Sequence, residues 1–180
     1  NAIGQNHTVI DNYKLLKKFN KIIIPGVGSY SNAIKKLKKK YFFDEIKNFA
    51  NSKPILGICV GMQILSDAGY EEEFTVGLKL ISGIVDKIEK KSKISHVGWN
   101  NLNISKKKNL FSDIMQNSDF YFVHSFAFKP TSSKVITSTI SYNKKTIASS
   151  VESGSIFGVQ FHPEKSHKNG IKILKNFCKL

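Results

Sequence analysis

Apolar residues in this chain come in short runs and in helical spacing, and the two alternate through the first third. Lys21–Ile24 is a β-branched run that stops at Pro25-Gly26, as a strand buried on both faces does. Ser29–Lys40 then places Ala33, Ile34 and Leu37 on one helical side, with Ser29 in position to cap. Phe42–Phe49 reads as a second amphipathic helix. Ile55–Ile58 is another buried strand, and a helix over Gly61–Ser66 follows at once. Buried strands separated by helices predict parallel pairing with both sheet faces covered. The second half changes character. Leu78–Ile88, Gly98–Ile104, Asp119–Phe126, Val135–Ser141, Thr146–Val151 and Ile156–Phe161 read as strands, with turns at Asn143 and Gly154. Gly170–Cys178 closes the chain as an amphipathic helix through Ile171, Ile173, Leu174 and Phe177. The expected fold is a three-layer α/β domain over residues 1–180. Its central sheet is mixed and mostly parallel, flanked by helices, with antiparallel strands added by the second half.

Composition narrows the function classes. The 180 residues suit one domain with a sizeable core. The net charge is +15, from 28 basic and 13 acidic residues. A surplus of that size raises the question of nucleic acid or membrane. Every basic residue is lysine, however, and a reader of phosphates and bases without any arginine fork is poorly equipped. Lys, Ile and Asn together supply 65 of the 180 residues, a chain-wide bias rather than a patch. The densest runs, Lys35–Lys40 and Lys106–Lys108, read as solvated faces. Neither nucleic acid nor membrane is expected as a partner, whereas a partner with an acidic face is compatible. Two cysteines, Cys59 and Cys178, make no disulfide framework, so a reducing cytoplasm is expected.

The chemistry centres on Gly57-Ile58-Cys59-Val60-Gly61, where a strand ends and a helix begins. A lone cysteine in an apolar strand is more often packing. Glycine on both sides, two residues away, and an immediate helix make it a nucleophile elbow. The sharp turn exposes the thiol at the carboxyl edge of the sheet. The helix N-terminus beside it is expected to favour thiolate, and the N–H of Val60 to face an oxyanion. A base is needed. The histidines are His7, His96, His124, His162 and His167; His162 lies just after the buried strand Ile156–Gln160, so parallel pairing would bring it to the edge that carries Cys59. Glu164, two residues on, is close enough to orient the imidazole.

The elbow stretch Leu56–Gln63 and the stretch Gly158–Ser166 resemble the two signatures of class I glutamine amidotransferases, whose fold is flavodoxin-like. Pro25-Gly26-Val27-Gly28-Ser29, His96-Val97-Gly98-Trp99-Asn100 and Tyr121-Phe122-Val123-His124-Ser125 narrow the resemblance. In this order the five stretches resemble HisH, the family of glutaminase subunits of imidazole glycerol phosphate synthase, from about Lys21 onward. The resemblance implies hydrolysis of glutamine to glutamate and ammonia through a thioester on Cys59, with His162 as acid and base and Glu164 behind it. Val60, Val27 and Gly28 would form the oxyanion hole. Glu71, with its register uncertain among Glu71, Glu72 and Glu73, would meet the glutamine ammonium, with Gln63 nearby. The backbone at His124, Ser125 and Phe126 would hold the carboxylate. Gly98, Trp99, Asn100 and Lys165 would face a (β/α)₈ cyclase subunit that receives the ammonia for histidine biosynthesis, although Trp99 serves equally as core packing. No metal and no cofactor is implied. The family opens with a strand and Gly-containing loop that the chain from Asn1 lacks, so further N-terminal residues are expected. Other readings stay open: ammonia supply to another acceptor such as a surface sugar, a cysteine peptidase, or a non-catalytic regulator.

Overall fold

A computed structural model describes residues 3–88 and 96–180. In chain order its strands and helices are β1 (Ile22–Ile24), α1 (Tyr30–Lys39), α2 (Phe42–Ala50), β2 (Ile55–Ile58), α3 (Val60–Gln63), β3 (Ala68–Gly69), β4 (Thr75–Val76) and β5 (Gly83–Lys87). These are followed by β6 (His96–Asn101), β7 (Asn103–Ile104), β8 (Asp119–His124), β9 (Phe126–Pro130), β10 (Ile136–Tyr142), β11 (Lys145–Ser153), β12 (Ile156–Val159) and α4 (His167–Lys179).

The described residues form three sheets. The largest has the order β1-β2-β12-β11-β10-β7. Its first three strands are parallel, as their uninterrupted apolar runs require, and its last three are added antiparallel. The register between β2 and β12 pairs Gly57 with Gly158 and Ile58 with Val159. It follows that the two strands end level, and the residues after them leave the same sheet edge. A second sheet runs β4-β3-β5-β9, and β6 pairs with β8 alone.

Helices flank this α/β frame. Ile34 of α1, with Ile46 and Phe49 of α2, enters the core, and so do Ile173 and Phe177 of α4. Phe177 meets Phe157 of β12 edge-on at 6.2 Å. Polar groups inside are paired: Thr137, Ser138, Ser149 and Ser150 share hydroxyl bonds of 2.6–2.7 Å between β10 and β11.

Several local expectations need correction. The expected Gly98–Ile104 strand breaks at Leu102, β6 pairing with β8 and β7 with β10, and the expected Gly61–Ser66 helix is α3, which ends at Gln63. Leu78–Ile88 is a strand only over β5; Leu78 and Ile81 are apolar because they are buried, on irregular backbone. The run Asp119–Phe126 breaks at Ser125, and β9 then joins a different sheet from β8. Ser29 stands at the N-cap of α1 without a side-chain capping bond; its Oγ lies near Ser31 and Glu72 instead. The turns at Asn143 and Gly154 are present, both with positive φ.

Candidate active site

Cys59 directly follows β2, and its N–H donates to Val159 O at 2.8 Å, which ties it to the end of β12. Its backbone sits at φ 55°, ψ −114°, a conformation costly for any residue but glycine. The surrounding glycines make that turn sterically feasible. A Cβ on Gly61 would stand 1.9 Å from Ile24 O, and one on Gly57 2.4 Å from Gly61 O. Three backbone segments therefore pass closer than side chains allow, and the sulfur is turned toward a cavity.

That cavity, about 200 Å³, is lined by Cys59, Val60, Val27, Gly28, Gln63, Glu71, Val123, His124, Ser125, Phe126, His162 and Lys165. The structure thus brings together in one chamber all of the predicted catalytic, oxyanion and glutamine-binding residues except Glu164, which stands behind His162. The thiol donates weakly toward Val123 O at 3.9 Å and receives the amide of Gln160 at 3.7 Å.

Thiolate is not favoured at rest, contrary to the sequence expectation. Burial pushes the Cys59 thiol up to about 11, outweighing the N–H of Val60 beside it, and α3 is only four residues long. To act as a nucleophile, such a thiol needs a base that takes its proton.

His162 is held in place by several bonds. Its N–H donates to Tyr121 O at 2.9 Å, and its carbonyl accepts from Ser166 Oγ at 2.7 Å. Ser166 Oγ in turn accepts from Tyr121 N at 3.0 Å, so the loop is stitched to β8. Pro163 opens a tight 3-10 turn that brings Glu164 back over the ring. The Nδ1–H of His162 donates to Glu164 Oε1 at 2.7 Å, which leaves Nε2 as the nitrogen available to the cavity. Glu164 itself is half exposed.

The three consecutive glutamates separate cleanly. Glu71 lines the cavity and accepts from Tyr30 N at the start of α1 at 2.7 Å; burial raises its carboxyl above the usual range. Glu72 accepts from Ser31 Oγ at 2.8 Å. Glu73 pairs with Lys35 at the surface at 2.6 Å. Gln63 is buried, its amide nitrogen donating to Phe126 O at 2.9 Å and Gln160 Oε1 at 3.0 Å, so it also braces the backbone of the cavity wall.

Sequence reasoning passed over Gln160. It is fully buried at the end of an apolar strand, a place where a polar amide has to have a purpose. The Trp99 alternatives are resolved toward the surface. Trp99 is 48% exposed and Val97 60%, and they pair across the strands with Tyr121 and Val123 to give β6–β8 an apolar outer side. Trp99 also stacks on His167 at 5.0 Å, and Lys165 Nζ lies 5.6 Å over the Tyr121 ring.

An elbow cysteine, a carboxylate-backed histidine and a chamber for one small polar molecule describe an amide-cleaving thiol site. The chain belongs to the class-I glutamine amidotransferase family, which matches residues 3–180. Within that class it is similar to the imidazole glycerol phosphate synthase subunit HisH of Pelagibacter ubique (strain HTCC1062). The identity is 43% over 181 residues, covering 97% of this chain and 86% of that protein. It is equally similar, at 43% over 182 residues, to the HisH 1 subunit of Campylobacter jejuni subsp. jejuni serotype O:23/36 (strain 81-176), with coverage of 99% and 90%. A crystal structure of a glutamine amidotransferase shares the fold, with a TM-score of 0.76 at 15% identity over 99% of this chain and 87% of that one.

Proposed function

We propose that the chain is the glutaminase subunit of an imidazole glycerol phosphate synthase, hydrolysing glutamine and passing ammonia to a (β/α)₈ cyclase subunit. The observation that carries this reading is the single cavity shared by Cys59, His162, Glu71 and the backbone of residues 123–126.

In the reaction, His162 Nε2 takes the thiol proton as Cys59 Sγ attacks the carboxamide carbon. The tetrahedral oxyanion is met by the N–H of Val60 and one from the Val27–Gly28 turn. The C–N bond breaks, the proton passes from Nε2 to the departing nitrogen, and ammonia leaves a thioester. Water then gives a proton to His162 and adds to the acyl carbon. The C–S bond breaks, the thiol is reprotonated and glutamate is released. Glu164 keeps the ring in the tautomer this sequence requires. Glu71 offers a negative charge to the amino acid's ammonium. The cavity's size supports a free amino acid rather than a peptide as substrate.

The strand segment Gly98-Trp99-Asn100 of β6, from which Trp99 faces outward, with Lys165 beside it, is where the cyclase subunit docks in this reading. The test is glutamate release from glutamine with and without that subunit and its ribonucleotide. Turnover is expected to rise with the partner and to fall at least about 10⁴-fold in Cys59→Ala. Unchanged turnover in that variant would remove the mechanism. Hydrolysis that responds to a different ammonia acceptor would move the pathway assignment but keep the chemistry.

A further inference from the structure

His96 and His124 are register partners in the β6–β8 pair, and both rings are buried on its inner side. His124 Nδ1 lies 2.9 Å from Phe126 O, a bond that only an Nδ1–H can make. Its Nε2 is therefore the acceptor for His96 Nδ1–H, at 3.0 Å. His96 Nε2 is left to accept, and Asn100 Nδ2 approaches it at 3.4 Å. His96 is packed between Phe122, stacked at 5.0 Å, and Tyr142 at 4.3 Å. Burial holds both imidazoles below their ordinary range, His124 at about 4, so both rings are neutral near pH 7 and the direction of donation is fixed.

The same Phe126 carbonyl accepts a second bond, from Gln63. Gln63 donates to Gln160, and Gln160 Nε2 reaches the sulfur of Cys59. An unbroken series of hydrogen bonds thus runs from β6, whose outer side carries Val97 and Trp99, to the nucleophile. The side chains between the two ends, His124, Gln63 and Gln160, are buried, where such bonds are stiff and expensive to break.

We propose that His96, His124 and Gln160 are positioning residues that couple occupation of the exposed β6–β8 face to the sulfur of Cys59. The coupling rests on the reading above that this face receives the cyclase subunit. The two histidines hold the Phe126 carbonyl in place, and through Gln63 that carbonyl fixes the amide of Gln160 on the sulfur. A shift of β6 under a docked partner is transmitted to the thiol by bonds of defined direction, with no moving helix needed.

Isosteric replacement separates this role from space filling. His96→Asn puts an amide N–H where Nδ1 stands and retains the donor; His96→Leu fills the space without it. Alkylation of Cys59 by iodoacetamide in the free chain and partner-stimulated glutaminase kinetics are measured on both, with folding checked by thermal melting. His96→Leu is expected to slow alkylation by about threefold and to cut partner-stimulated kcat by about tenfold. KM and affinity for the cyclase subunit should change far less, and His96→Asn should restore both rates. Gln160→Leu, which leaves the histidine pair intact, is expected to reproduce the loss. Wild-type rates in His96→Leu, or equal losses in His96→Leu and His96→Asn, would overturn the coupling while leaving the glutaminase reading in place. No glutamine hydrolysis by the wild type, with the Leu–Asn contrast in alkylation preserved, would overturn that reading and support the link to the sulfur.

Discussion

At the scale of single residues, the site holds a thiol that burial keeps protonated near neutral pH. Cys59 sits where burial disfavours its charge, raised from 9.0 to about 11. In the free chain, iodoacetamide should label Cys59 slowly through pH 8 and reach half its limiting rate only near pH 11. A midpoint near that of an ordinary thiol would contradict this. The same shift enters stability. Above about pH 9 the unfolded thiol ionises and the folded one does not, so the unfolded state gains and stability falls until about pH 11. Urea melts of Cys59→Ala should lack that portion of the alkaline decline. Glu164 has the opposite situation. Its bond to His162 is short, but the carboxylate is half in water, which screens its charge. Glu164→Gln is therefore expected to lower kcat by about tenfold, far less than a deeply buried orienting carboxylate costs.

At the scale of elements, the elbow is built from close backbone passages rather than from side-chain bonds. Gly61 is the tightest, since a methyl there would occupy the position of Ile24 O. Gly61→Ala should destabilise the fold by about 3 kcal/mol or more, read from chemical denaturation. This part of the architecture was legible in the sequence, because Gly57, Cys59 and Gly61 each answer to one steric demand within five residues. His162 and Glu164 were legible for a similar reason: buried strand, proline and carboxylate lie side by side. Other parts carried no such mark. β3 and β4 have two residues each, too few for any period, so the second sheet could not be read. The stretch before β5 is apolar because of burial alone. The His96–His124 contact spans 28 positions and exists only through strand register, which no local pattern announces. Pairing the two aromatic-rich stretches as antiparallel partners would have exposed it.

For the whole molecule, charge and apolar surface lead to the same expectation about association. The chain carries +15, and the outer side of β6–β8 offers Trp99, Val97 and Val123 with Lys165 beside them. Trp99→Ala should weaken binding of the cyclase subunit by about 30-fold, as loss of an anchoring aromatic does. Lys165→Glu should mainly slow association at low salt, an effect that fades as ionic strength rises. Both are read from surface-immobilised binding kinetics. If neither substitution alters association or dissociation, the cyclase subunit docks elsewhere. Among the described residues no helix is long and apolar enough to cross a membrane.

The modest chamber beneath Val27 and Gly28 has a consequence for turnover. A space of about 200 Å³ accommodates one guest at a time. Glutamate, which keeps the ammonium and carboxylate of its parent, should therefore act as a competitive tenant. Accumulated product would throttle the enzyme by occupancy alone, with no separate regulatory pocket required.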